Sequence, residues 1–241
     1  MPDQPSSPPK PVTEIWRPDL VALPRLTLAR RIIRPILVAL FRVLAFFTMR
    51  MTFRGLEYFP KKGPALIVIN HLGDADVVLL AAAIPGLPEV MGKIELHNHK
   101  HVWPIFRSYG VIWVHRGRPD RKALRAALEG LAEGRMVALA PEGRQSLTGG
   151  LEEGTEGAAF LALRSGAPIV PVALTGTEND RVYPNLKRWQ RTTVSLTVGK
   201  PFFLKEYADH QTMLANGTRQ IMETLADLLP ESYRGKFNSH Q

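Results

Sequence analysis

The feature that most constrains this chain is a regular exchange of short apolar runs with helical patterns from Pro64 onward. Ala65 to Ile69, Val111 to His115, Met136 to Ala140, Ile169 to Leu174 and Val194 to Val198 read as buried strands. Between them, Ala75 to Ile84 reads as a helix ended by Pro85 and Gly86. Leu124, Leu128 and Leu131 mark one helical face within Pro119 to Glu133. Gly157 to Arg164 and Gln211 to Leu229 supply the remaining helices. Strand-helix repetition of this kind demands crossover connections. The expected fold class is therefore α/β, a layered and mostly parallel sheet flanked by helices. Pro171, inside a strand pattern, is expected to mark an edge or bulge.

The region ahead of this pattern behaves differently. Residues 1–19 carry Pro2, Pro5, Pro8, Pro9 and Pro11 with little apolar content, which reads as a disordered tail. Residues 20–53 are apolar and basic. At 100° per residue Arg30, Arg31, Arg34 and Arg42 share an arc of about 120°, an amphipathic helix pattern that Pro35 is expected to break. Its longest apolar stretch, Pro35 to Met49, is 15 residues and contains Arg42, too short and too interrupted for a bilayer span of about 20 residues. The expectation is a membrane-surface helix preceding an α/β domain over 54–241. Leu37, Leu40, Phe41, Leu44, Phe46 and Phe47 would enter the acyl region, with the arginines among anionic headgroups. No apolar signal run occupies the first 20 residues, so the segment is expected on the cytoplasmic face of the membrane.

Composition narrows the partners. Thirty-one Lys plus Arg against 22 Asp plus Glu give a net charge of +9, which favours anionic partners. The basic residues gather around the apolar N-terminal segment, and no aromatic-interleaved pattern points to nucleic acid, so an anionic membrane surface is expected. The absence of cysteine excludes thiol catalysis and cysteinate metal sites. His97, His99 and His101 alternate, but nothing completes a metal site around them.

The chemistry is concentrated at strand ends. Asn70-His71, His115-Arg116 and Glu142-Gly143-Arg144 each follow an apolar run, and ligands of parallel α/β sheets bind outside the carboxyl ends of strands. His71 and Asp76 would lie about 140° apart on a continuous helix, so His71 must precede the helix, with Gly73 allowing the turn. Asp76 can then fix the imidazole tautomer and leave the other nitrogen as a base, a triad whose nucleophile is the substrate's own hydroxyl. Arg116 and Arg144 could hold a phosphate, Glu142 an acceptor hydroxyl, and Lys93 could add positive potential.

These blocks resemble the glycerolipid acyltransferases, and in particular the bacterial 1-acylglycerol-3-phosphate acyltransferase family. Asn70-His-Leu-Gly-Asp-Ala-Asp76 is similar to the family's His, four residues, Asp signature. Gly110-Val-Ile-Trp-Val-His-Arg116 resembles the block ending in a phosphate-binding arginine, Ala140-Pro-Glu-Gly-Arg-Gln-Ser146 the Pro-Glu-Gly block, and Ile169-Val-Pro-Val-Ala-Leu174 the Val-Pro-Val block. The resemblance covers about Phe53 to Gly199. It departs at His115, where the family usually has Asp, and at Arg144-Gln145, where it usually has Thr-Arg.

The resemblance implies transfer of an acyl group from acyl-CoA or acyl carrier protein to the hydroxyl of 1-acylglycerol-3-phosphate, with no metal or other cofactor. His71 and Asp76 would be catalytic, and Arg116, Glu142, Gly143 and Arg144 would bind substrate; Lys93, after a short strand pattern, is a further substrate-binding candidate from its position alone. The altered Arg144-Gln145 block admits another lysophospholipid or a hydroxylated membrane lipid as acceptor. A basic membrane-binding protein without catalysis is the competing class.

Overall fold

The computed structural model describes residues 9–204 and 210–238. Among these residues seven strands form one sheet in the order β1-β7-β6-β2-β5-β3-β4, and of the paired strands only β6 and β7 run antiparallel. The central parallel strands are β2 (Ala65–Ile69), β3 (Glu89–Lys93), β4 (Val111–Val114), β5 (Met136–Leu139) and β6 (Ile169–Thr175). β1 (Met49–Arg54) and β7 (Thr192–Val198) run the other way and close one side.

Side chains of β2 alternate between two cores, as the period of a strand requires. Leu66 and Val68 pack toward α4 (Arg121–Ala132), α5 (Gly157–Ser165) and α7 (His210–Leu228). Ala65, Ile67 and Ile69 pack toward α1 (Leu28–Thr48) and α2 (Asp76–Ala83). Both faces of β2 are covered, which explains why its sequence is a continuous apolar run rather than an alternating one. Two further helices, α3 (Trp103–Tyr109) and α6 (Asn179–Lys187), complete the layers.

Pro171 is in neither an edge strand nor a bulge: β6 lies between β2 and β7. Its carbonyl accepts from Gly199 N at 2.8 Å, one residue past the β7 ladder, which ends at the Val172–Val198 pair. N–H and C=O of one strand residue point the same way, so the missing donor faces a place where no partner strand continues. Nor does Pro35 end α1, which runs unbroken through it. Burial of Arg34, Val38 and Ala45 along its inner side outweighs the lost bond.

The arginine arc of α1 also turns the other way. Arg34 is buried and paired with Glu89 at 2.9 Å, and Arg42 donates to the carbonyls of Ala81 and Ile84. The outer side is instead apolar, with Leu28, Ile32, Ile36, Leu40, Val43 and Phe47 all exposed. Residues 49–53 belong to β1 rather than to a helix and pair with β7, so a boundary at residue 53 does not divide the fold.

The disordered reading of residues 1–19 lies outside the described residues as far as residue 8. From Pro9 onward it fails. The segment crosses the carboxyl ends of the strands: Thr13 and Arg116 bond each other's main chain and hydroxyl, and Pro18–Leu20 form a 3-10 turn. Ordering a chain already restricted by proline loses less entropy, so composition overstated the disorder.

Candidate active site

At the carboxyl end of β2 the chain leaves the sheet before α2 begins. Asn70, buried, staples this exit to β6 by donating to Leu174 O at 2.9 Å and accepting from Leu174 N at 2.7 Å. Gly73 then passes so close to the β6–α6 loop that a Cβ would meet Thr177 O at 2.3 Å, so no other residue fits without moving that backbone.

The turn brings His71 Nδ1 to Asp76 Oδ2 at 2.6 Å. The same oxygen accepts from the amides of Leu72 at 2.8 Å and Gly73 at 3.2 Å. Asp76 is 1% exposed at the start of α2, where amide donors and the positive end of the helix offset burial of its charge. A carboxylate held in this way accepts from Nδ1–H and fixes the tautomer. The His71 side chain is 28% exposed, and among the described residues no hydrogen bond engages its Nε2.

Glu142 supports this pair from beneath. It is buried; its Oε1 accepts from His71 N at 2.9 Å and its Oε2 from Glu152 N at 2.8 Å. Desolvation pushes its carboxyl up to about 7, against the pull of the two amides and of His71. Each oxygen holds a main-chain amide and the residue is 0% exposed, so it braces the backbone of His71 rather than standing open to an acceptor hydroxyl. Gly143 has φ of +71°, and the turn it permits swings the next two residues to opposite sides. It therefore shapes the loop.

Arg144 goes inward, pairing with Glu152 at 2.6 Å and donating to Pro9 O. This buried anchoring replaces the phosphate contact expected of it. Gln145 goes outward and donates to Asp74 Oδ1 at 2.8 Å, beside His71.

Asp74 was not found from sequence. Its other oxygen accepts from Tyr183 OH at 2.7 Å, and its amide donates to Asn179. Burial opposes its ionisation, but the bonds from Tyr183 and Gln145 and the nearby Lys93 hold its carboxyl below the ordinary value. The same bond pushes Tyr183 up to about 12. Lys93 ends β3 and thus lies with this group.

Arg116 follows β4, three strand spacings or about 14 Å from β2. Its guanidinium contacts Glu95 at 3.0 Å, with Thr13 bound to the same carboxylate oxygen. His115, beside it, forms a second histidine-aspartate pair at 2.7 Å, with Asp120, and its Nε2 accepts from Arg17 N at 3.0 Å. Trp16 covers that ring, with centroids 4.4 Å apart. His97, His99 and His101 lie around a 3-10 turn over Ile94–Asn98 rather than a strand, with the His97 ring against Trp103.

Residues 50–175 match the acyltransferase family. The chain is 30% identical over 128 residues to a 1-acyl-sn-glycerol-3-phosphate acyltransferase of Borreliella burgdorferi, covering 52% of this chain and 51% of that protein. It is 32% identical over 136 residues to one of Cocos nucifera, covering 53% and 42%. The chain thus spans about half the length of the curated relatives it matches. The crystal structure of a 1-acyl-sn-glycerophosphate acyltransferase from Thermotoga maritima shares the fold, with a TM-score of 0.61 and 20% identity over 84% of each chain.

Proposed function

Because the chain belongs to the acyltransferase family, we propose that it moves a fatty acyl group from a thioester, acyl-CoA or acyl carrier protein, to the free hydroxyl of 1-acylglycerol-3-phosphate at a membrane surface. The observation that carries this reading is the His71–Asp76 contact of 2.6 Å with Nε2 left unengaged. His71 Nε2 takes the hydroxyl proton as that oxygen attacks the thioester carbonyl. Asp76 stabilises the imidazolium, which then returns the proton to the leaving thiolate. The thioester carries its own activation, so a base and positioning suffice without a metal or redox group. Arg116 takes the acceptor phosphate, Lys93 adds positive potential, and Glu142 fixes the main chain of His71.

The exposed apolar side of α1 supports membrane contact. Among the described residues no helix is long and apolar enough to cross a bilayer. In this reading α1 lies along the surface on the cytoplasmic face, with Leu28, Ile32, Ile36, Leu40, Val43 and Phe47 turned to the acyl region. A second acceptor reading has its own support: Gln145 stands where the family usually has arginine and binds Asp74, placing a carboxylate beside the base. That arrangement favours a lysolipid or hydroxylated lipid other than lysophosphatidate.

Thioester consumption by the purified chain against a panel of lysolipid acceptors tests both readings. Turnover with lysophosphatidate supports the first, and preference for a phosphate-free acceptor supports the second. Folded protein inactive toward every acceptor with either thioester would overturn the enzymatic assignment.

A further inference from the structure

A second concentration of charge lies at the other end of the strands. A cavity of about 310 Å³ opens where the starts of β3 and β5 meet the loop before β2 and the first turns of α1. It is lined by the cations Arg31, Arg34, Lys62 and Arg135 and by a single carboxylate, Glu89. The floor is deeply buried: side chains of Arg34 and Glu89 are 3% and 1% exposed. Arg34 Nη1 and Arg135 Nη1 both donate to Glu89 Oε1, at 2.9 and 3.3 Å. Among the described residues, Arg34 Nε and Glu89 Oε2 are buried with no hydrogen-bond partner. At the rim, Arg31 and Lys62 are exposed and have no carboxylate partner among the described residues. The first turn of α1 carries no acidic residue, so the positive end of a long helix adds to the same potential.

Arg135 also pairs with Glu133, so Glu89 and Glu133 together face four cations, and the charge left over lies on the exposed Arg31 and Lys62 at the rim, where an anion can reach it. A phosphate offers several oxygen acceptors to those two cations. We propose that this cavity binds the phosphate headgroup of an anionic bilayer lipid, separate from the acceptor consumed at His71. The choice of a bilayer lipid over free phosphate comes from the rim: Arg31 lies in the same turns of α1 as exposed Leu28 and Ile32. This source rests on the membrane reading of α1. A lipid held here would fix the tilt of that helix on the surface.

The test is flotation of the full chain with phosphatidylcholine vesicles, with and without one-fifth phosphatidylglycerol, at about 0.5 M salt, where diffuse attraction is screened. Arg31→Gln with Lys62→Gln should weaken partition onto the anionic vesicles about tenfold and leave partition onto the neutral ones unchanged. Arg25→Gln with Arg50→Gln, which removes two exposed charges outside the cavity, should change either by less than about twofold. Equal losses from the two pairs would overturn the site in favour of diffuse attraction. Thermal stabilisation of wild type but not of the cavity pair by inorganic phosphate, with unchanged anionic flotation, would assign a soluble phosphate and overturn the lipid. Ile36→Ser with Leu40→Ser should lower binding to both vesicle types; if it does not, the membrane reading of α1 fails independently of the cavity.

Discussion

The chain contains the same five-residue step from histidine to aspartate twice, and the two copies have opposite surroundings. His71 and Asp76 meet at 2.6 Å, and His115 and Asp120 at 2.7 Å, each through Nδ1 and Oδ2. Each aspartate also accepts main-chain amides and stands at the start of a helix. What differs is the far nitrogen. His71 keeps Nε2 unengaged on a 28% exposed ring, whereas the 2% exposed ring of His115 accepts from Arg17 N and lies under Trp16. Spacing alone builds a histidine-carboxylate pair; a base requires an open second nitrogen as well. The first pair can transfer a proton, and the second ties the N-terminal segment to the β4–α4 turn.

The most direct way to break this comparison is to remove each imidazole. His71→Ala should reduce transfer by at least about a thousandfold with the melting temperature nearly unchanged, since the ring contributes little packing. His115→Ala should instead destabilise by about 2–3 kcal/mol through lost buried contacts and an orphaned Arg17 N–H, while activity per folded molecule stays within about tenfold. Calorimetry and steady-state kinetics on both variants decide it; matching profiles would erase the distinction. The aspartates should divide in the same way. Asp76→Asn is expected to lose about a hundred- to ten-thousandfold in kcat by presenting the wrong tautomer. Asp120→Ala should lose about 1–2 kcal/mol of stability as a helix cap, with kcat largely retained.

Glu142 marks the two regions apart by pH. Its carboxyl titrates near 7 in the folded chain because burial disfavours the charge. A raised folded value means its favourable contribution is complete below the ordinary carboxylate range and declines as pH rises through 7. Wild type should therefore lose stability relative to Glu142→Gln between about pH 5 and 8, by up to about 3 kcal/mol. Melting temperatures of the two across that range check the sign. A difference independent of pH would mean that Glu142 is ionised throughout. No comparable loss should accompany the second pair, where Asp120 is held below the ordinary value by its bonds to His115 despite burial.

The sheet was readable because its central strands are covered on both faces and so appear as unbroken apolar runs. Arg34 and Arg42 were misread because helical periodicity gives an arc but not which side faces the protein. Their partners, Glu89 and the carbonyls of Ala81 and Ile84 at the end of α2, lie far along the chain. His71 and Asp76 were legible because five residues fix their geometry locally. The role of Glu142 was not, since it depends on the amide of Glu152, whose loop folds back beneath it. Asp74 escaped notice for the same reason: its partner Tyr183 is 109 residues away.

The smallest expected effects concern what the second pair is for. His115 and Asp120 lock the turn carrying Arg116, whose amide and carbonyl are held in turn by Thr13. If Arg116 takes the acceptor phosphate, Arg116→Ala should raise the acceptor KM about ten- to a hundredfold. That is the expected worth of a charge-assisted contact of roughly 1.5–3 kcal/mol, and the thioester KM should hardly move. His115→Gln keeps a polar group in the turn but loses the two-sided bridge between Asp120 and Arg17. It should raise the acceptor KM only about two- to fivefold, again without affecting the thioester, because Arg116 is then less well oriented rather than absent. Adding the substitutions together distinguishes orientation from independent binding. If His115 acts through Arg116, the double variant should bind acceptor no worse than Arg116→Ala alone. Multiplying losses would show that the second pair reaches the substrate by another route.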